Sequence, residues 1–237
     1  MKVNVGKNFS VLLIAILVLS FKSNNKFEKL SLQMLTRKTN AGKLFTMQGD
    51  IYFNASGKMV SHLKLPVELI SVANNKGDVL VYNPKRNEVS KKFHYLYSTE
   101  TSLMYYFLID NKNELGLSTQ GFIRQSSSYE NDLLITKWLS PAHLMKHFSG
   151  AELVYQKGKP IFLKFTNPKG NPVKKVYFSN FTLVGYQPLP LTITQINYIE
   201  KDSSIERTEF TNLKLNEQAD SKYFDFTVPA NAKPIND

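Results

Sequence analysis

The stretch NNKGDVLVYNPKRNEV, residues 74 to 89, decides how this chain folds. Two turn signals, Asn75-Lys76-Gly77 and Asn83-Pro84-Lys85, bracket Asp78-Val79-Leu80-Val81-Tyr82. The run is short, β-branched and aromatic, which predicts a strand. Side chains of a strand point alternately to its two faces, so Val79 and Val81 face one way and Leu80 and Tyr82 the other. Antiparallel strands commonly keep one face wet, yet both faces are apolar here. Either a second layer of protein or a ligand must cover the other face.

Upstream, Phe45, Met47, Gly49, Ile51 and Phe53 alternate with Thr46, Gln48, Asp50 and Tyr52, and Asn54–Gly57 is a turn. In the next predicted strand Met59, Leu63 and Leu65 share one face, while Val60, His62 and Lys64 share the other, mostly polar one. Pro66 bends or ends that strand, because proline cannot donate to a ladder; Glu68–Val72 resumes. Further upstream, Phe27, Leu30 and Met34, with Leu35 and Lys38, follow a 3.6-residue period that predicts a helix over 25–40, ended at Gly42.

Downstream, Ser98 and Thr99 are candidate caps for a helix over 101–109, in which Leu103 and Phe107 stand four apart. Asp110–Asn113 ends it. Residues 120–138 read as a polar connection followed by the ambiguous Leu133–Leu139. Ser140-Pro141 predicts a short helix to Phe148. Hairpins return in the last third: Leu153–Tyr155, Ile161–Phe165, Val173–Val184, Leu191–Ile199 and Ile205–Leu215, separated by turns at 157–160, 167–171, 185–190 and 202–204. No Gly/Ser/Pro-rich linker divides the chain, so one domain over 21–237 is expected.

Residues 1–20 are expected to be a secretory signal. Lys2 and Lys7 precede the apolar run Phe9–Phe21, which is short for a membrane span. An uncleaved N-terminal anchor is the alternative, and both readings take the chain out of the cytoplasm. Cysteine is absent, which excludes disulfides, thiolate metal sites and a cysteine nucleophile. Export without cysteine fits a bacterial periplasm. The net charge of +11 comes from scattered lysines. It reads as a solvated basic surface, or as one that meets anionic lipid, acidic polysaccharide or an acidic protein. No stripe interleaves these lysines with aromatics, so nucleic acid is not expected as a partner.

Catalytic chemistry is missing. There is no Gly-x-Ser-x-Gly elbow, no phosphate loop and no dinucleotide fingerprint. His143 and His147 stand at a spacing that can chelate zinc, but Leu144 occupies the place of a zinc protease's glutamate, and the next carboxylate is Glu152. No metal and no cofactor are expected, and the chain is not expected to be an enzyme.

The order of motifs carries a resemblance. "QGDIYF" (48–53), the strand ending in Pro66, "NNKGDVLVYNP" (74–84), a helical middle, "GKPIFLKFTNPKGN" (158–171) and "YFDFTVPANAKPI" (223–235) follow one another over most of the chain after residue 26. In this order the chain resembles the LolA-like family of periplasmic carriers of outer-membrane lipoproteins. The resemblance implies a mainly β fold with helices (α+β): an unclosed antiparallel β-barrel, a sheet curled into a half-barrel, with a helical lid over its mouth. It implies a carrier or chaperone that shields acyl chains of a lipoprotein or another lipid in an apolar cavity. Its partners would be an inner-membrane release complex and an outer-membrane acceptor, and it would be a monomer. The lipid-binding residues expected on this basis are Met59, Leu63, Leu65, Leu80, Tyr82, Leu103 and Phe107. The family commonly carries Arg-Pro after the first "QGD" strand, where this chain has Ala55-Ser56, and an aromatic where it has Ser61. A non-transporting envelope interaction protein, its half-barrel filled by its own side chains, is the second expectation.

Overall fold

Leu30, Leu32, Met34 and Thr36 are all buried, and the residues between them are not. That period of two marks a strand: β1 (Lys29–Asn40) replaces the helix expected over 25–40. Leu30 and Met34 fit both periods, but β1 lies between two ladders that satisfy its backbone on both sides, and such tertiary pairing overrides a weak helical preference. The computed structural model describes residues 27–40, 42–74, 78–93, 100–109, 114–185, 187–199 and 202–235. The expected signal at 1–20, the turn at 75–77, the caps Ser98 and Thr99, and the stop at 110–113 lie outside the described residues.

The N-terminal meander continues with β2 (Lys43–Asn54), β3 (Met59–Leu65), β4 (Leu69–Ala73), β5 (Asp78–Asn83) and β6 (Glu88–Phe93). The helix α1 (Glu100–Ile109) follows. A second meander comprises β7 (Ile123–Glu130), β8 (Leu133–Leu139), β9 (Gly150–Gln156), β10 (Lys159–Thr166), β11 (Pro172–Val184), β12 (Gln187–Ile199) and β13 (Asp202–Leu215). Two single 3-10 turns, Asn216–Ala219 and Lys222–Asp225, lead to the short β14 (Lys233–Pro234). The ambiguous 120–138 segment thus forms the β7–β8 hairpin. The helix expected from Ser140 to Phe148 is instead a series of turns, with Leu144 N–H donating to the carbonyl of Pro141 and Phe148 N–H to that of Leu144.

All strands belong to one sheet in the order β14-β6-β5-β4-β3-β2-β1-β13-β12-β11-β10-β9-β8-β7. The chain runs from β1 out to one edge, crosses through α1 to the far edge, and meanders back until β13 pairs with β1. The sheet is not closed, since β14 and β7 are its two edges. Among the described residues every pairing is antiparallel except β14 with β6. One face of the strands from β1 to β3 and from β8 to β13 joins α1 in a single buried cluster, so the sheet curls around the helix. This is the mainly β, unclosed, curled sheet that was expected.

Residues Leu103 to Leu108 are all buried. A helix apolar on every side belongs in an interior, and α1 occupies the hollow of the sheet. Phe107 meets Phe178 of β11 edge to face, with ring centroids 5.0 Å apart. Tyr105 meets Phe53 of β2 in the same way at 6.2 Å and donates its hydroxyl to the Gly57 carbonyl at 2.8 Å. The turn after the helix fits closely: a Cβ on Gly116 would stand 2.1 Å from the Tyr106 ring, and its φ of +72° also suits glycine alone.

Candidate functional site

Directly opposed residues of paired strands share a face, so register assigns each side chain. Met59 opposes Phe53 and Ala73, and Leu63 opposes Gly49 and Leu69. Ala73 opposes Val79, and Ser71 opposes Val81. Met59 belongs to the cluster around α1, and Leu63 and Ala73 pack against it. The inner face of β3 to β5 is therefore Met59, Ser61, Leu63, Leu69, Ser71, Ala73, Val79 and Val81. Gly49 lets the strands approach there, because a Cβ on it would meet the His62 carbonyl at 2.5 Å.

The structure brings together Met59, Leu63, Leu103 and Phe107 of the expected set. Leu65 is at the end of β3 and half exposed. Leu80 and Tyr82 are elsewhere: Tyr82 opposes Ile70 and clusters with Val60 and Ile70 on the outer face, and Leu80 shares its parity. Placing them with Met59 and Leu63 is corrected by this register; Val79 and Val81 hold those positions.

The outer face is not wet. The C-terminal segment after β13 lies across it, with Tyr223, Phe226, Val228 and Ala232 against the Val60–Ile70–Tyr82 cluster. Tyr52 stacks on Tyr223 at 5.2 Å, and Lys58 Nζ donates to the carbonyls of Phe224 and Phe226 at 3.0 and 2.8 Å. His62, expected on a polar face, is buried beneath Tyr223 at 4.5 Å between ring centroids. Its Nε2 bonds Glu68 Oε1 at 2.8 Å. Tyr82 is thus covered by protein of the C-terminal segment, and Leu80, of the same parity, is half-buried beside it.

The inner face divides in two. Under α1 it is sealed, with Leu30, Ile51, Leu163, Val176 and Ile193 wholly buried. On β4 and β5, by contrast, Leu69, Ser71, Ala73, Val79 and Val81 are only half-buried. Ser61 Oγ, on the inner face beside them, is buried and has no hydrogen-bond partner among the described residues. Beyond the apolar stretch the inner face of β12, β13 and β1 turns polar. Thr36 and Thr208 hydroxyls bond at 2.8 Å, Gln195 Nε2 donates to Glu206 Oε1 at 3.1 Å, and Lys38 Nζ lies 3.3 Å from Glu206 Oε2. Sequence reading missed this row because β1 stands far in the chain from the β12–β13 hairpin that it joins. Alternation with buried apolar neighbours, as in Met34-x-Thr36, was the available signal.

Burial pushes the Tyr105 hydroxyl up to about 12, so it is a neutral donor at any ordinary pH. His143 and His147 are both exposed. Among the described residues no group of three or more His, Cys, Asp or Glu could hold a metal ion. The inner face thus offers apolar contact, a few hydroxyls and, on β12, β13 and β1, the row of Gln195, Glu206 and Lys38.

No family profile and no curated protein matches the sequence. Solved structures do match in fold. A LolA superfamily protein from Nitrosomonas europaea superposes with a TM-score of 0.57 at 10% identity, over 80% of this chain and 87% of that one. A domain named for outer membrane lipoprotein sorting, from Vibrio parahaemolyticus, gives 0.62 at 14% identity, over 84% and 90%. A DUF1329 family protein from Desulfovibrio piger gives 0.58 at 14% identity, over 92% and 96%. The fold of this chain is LolA-like.

Proposed function

We propose that the protein is a non-catalytic carrier or chaperone of the periplasm that shields acyl chains of a lipoprotein or another lipid against the inner face of its sheet. The observation that carries this reading is the half-buried apolar surface of Leu69, Ala73, Val79 and Val81, continuous with Leu63 and Met59 and bordered by the apolar helix α1. Each methylene buried there contributes about 0.8 kcal/mol, so an acyl chain needs no polar chemistry to bind. The LolA-like fold and the name of the Vibrio relative favour lipoprotein as cargo. Delivery to the outer membrane, a release complex, an acceptor and a monomeric carrier belong to the same proposal, as does a cleaved signal at residues 1–20. In this reading α1 fills the rest of the hollow in the unloaded protein and shifts as cargo enters.

The test is binding of a fluorescent acyl probe. Val81→Asp places a charge on the inner face and is expected to weaken binding at least tenfold, because an unpaired charge in an apolar site is costly. Leu80→Asp, on the same strand but the outer face, is expected to leave binding unchanged. Equal binding by both variants, or no probe bound by the wild type, overturns the proposal. The half-barrel is then simply filled by α1, as in an envelope interaction protein.

A further inference from the structure

The turns of the sheet fall at two ends that differ in character. Register places the β1–β2, β3–β4, β5–β6, β8–β9, β10–β11 and β12–β13 connections at one end: Thr39 opposes Ile205, Gln48 opposes Leu65, Ile70 opposes Tyr82, Lys174 opposes Asn197 and Gly150 opposes Thr166.

Large apolar side chains stand out at this end. Leu44 and Phe45, beside the β1–β2 turn, are 65% and 51% exposed, and Leu65 and Val67, flanking Pro66, are 51% each. Ile205 and Met145, next to the β12–β13 and β8–β9 connections, are exposed as well. Single exposed apolar residues need no explanation, but adjacent tips of one rim do.

The same tips are basic. Exposed Lys43, Lys85, Lys146 and Lys169 each sit in or beside one of these turns. Among the described acids of these turns, Glu68 is engaged by His62 at 2.8 Å and Glu88 lies 3.8 Å from Arg86, which leaves Asp202. At the opposite end exposed Glu28, Glu130, Asp132, Glu217, Asp220 and Asp225 stand with Lys157, Lys214 and Lys222, and the exposed large apolar residues there are Leu183, Tyr129 and Leu134.

We propose that the rim carrying Leu44, Phe45, Leu65 and Val67 docks on the surface of an anionic lipid bilayer, with the apolar tips entering the headgroup boundary and the rim lysines drawn to lipid phosphates. Apolar residues flanked by lysine are what an interfacial membrane contact requires, and the charge matches an anionic leaflet rather than a zwitterionic one. An acidic protein would account for the lysines but not for apolar residues on several neighbouring tips. The inference goes beyond the carrier reading, because it concerns the outside of the molecule and holds whether or not the hollow takes a lipid.

The absence of cysteine makes the test clean. Leu44→Cys, Val67→Cys and, at the opposite end, Leu183→Cys are each labelled with a polarity-sensitive dye in the exported chain. Vesicles of phosphatidylglycerol with phosphatidylcholine are compared with phosphatidylcholine alone. A blue shift is expected at 44 and 67 on the anionic vesicles only, with none at 183. Raising the salt should reverse it. Lys85→Gln with Lys146→Gln should weaken the apparent affinity about fivefold for each charge removed. Because each label reports its own position, an N-terminal anchor that holds the chain on vesicles does not mimic the result. No shift at 44 and 67 overturns the proposal, as does an equal shift on neutral vesicles or at 183.

Discussion

The two parts of the inner face are built alike and finished differently. Both present alternating apolar residues from neighbouring strands. Beneath α1 those residues interlock with the helix and lose nearly all contact with solvent; on β4 and β5 they keep a part of it. The difference lies in what lies opposite, since α1 has side chains enough for one side of the curve. A sheet whose apolar face exceeds the helix that covers it has surface to offer to something else.

The largest expected effect tests the sealed part. Phe107→Ala removes a wholly buried ring that meets Phe178 and Phe181. It should cost about 3–5 kcal/mol, read as a lower urea midpoint. A loss under about 1 kcal/mol would mean that α1 is not core, and the contrast between the two parts would disappear.

An intermediate effect comes from alkaline pH. The folded protein holds the Tyr105 proton up to about 12, whereas the unfolded chain releases it near 10.0. Stability from this group is therefore complete below pH 10.0 and falls as pH rises through about 12. Tyr52 on the outer face, also raised to about 12 and chiefly by burial, adds to the same slope. Urea midpoints between these pH values should fall less steeply in Tyr105→Phe, which at neutral pH should lose about 1 kcal/mol with its bond to Gly57. An unchanged slope would place the Tyr105 hydroxyl in water.

The smallest effect tests the open part. Val81→Ala should cost no more than about 1 kcal/mol, since its side chain is only half-buried. A loss near that of Phe107→Ala would show that β5 is sealed like the rest.

Most strands were legible because their residues alternate and their turns carry Gly, Asn and Pro, as at 54–57 and 167–171. The hollow helix was legible from Leu103 and Phe107 at four-residue spacing. β1 was misread because Leu30 and Met34 satisfy two periods at once, and only pairing with β2 and β13 decides between them. The outer cover was not legible at all. Tyr223, Phe226 and Val228 follow no regular period, so nothing local shows that they lie on Val60, Ile70 and Tyr82. For the same reason His62 read as a wet residue and Tyr82 as an inward one: a strand's pattern separates its two faces but does not say which layer each meets.

The seam between β1 and β13 has a kinetic consequence. Thr36 and Thr208, bonded across it, are 172 residues apart. Closing a loop of that length costs about 4–5 kcal/mol in chain entropy beyond a constant, and contacts so distant form late. The strands β1 to β6 can assemble as a local meander as soon as they emerge, but β1 then has an unpaired edge of its own until the last hairpin arrives. During that interval the chain presents a template for pairing with other chains. Refolding is therefore expected to be slow, limited by capture of β1 by β13, and a chain shortened before Asp202 would aggregate rather than fold to a smaller sheet.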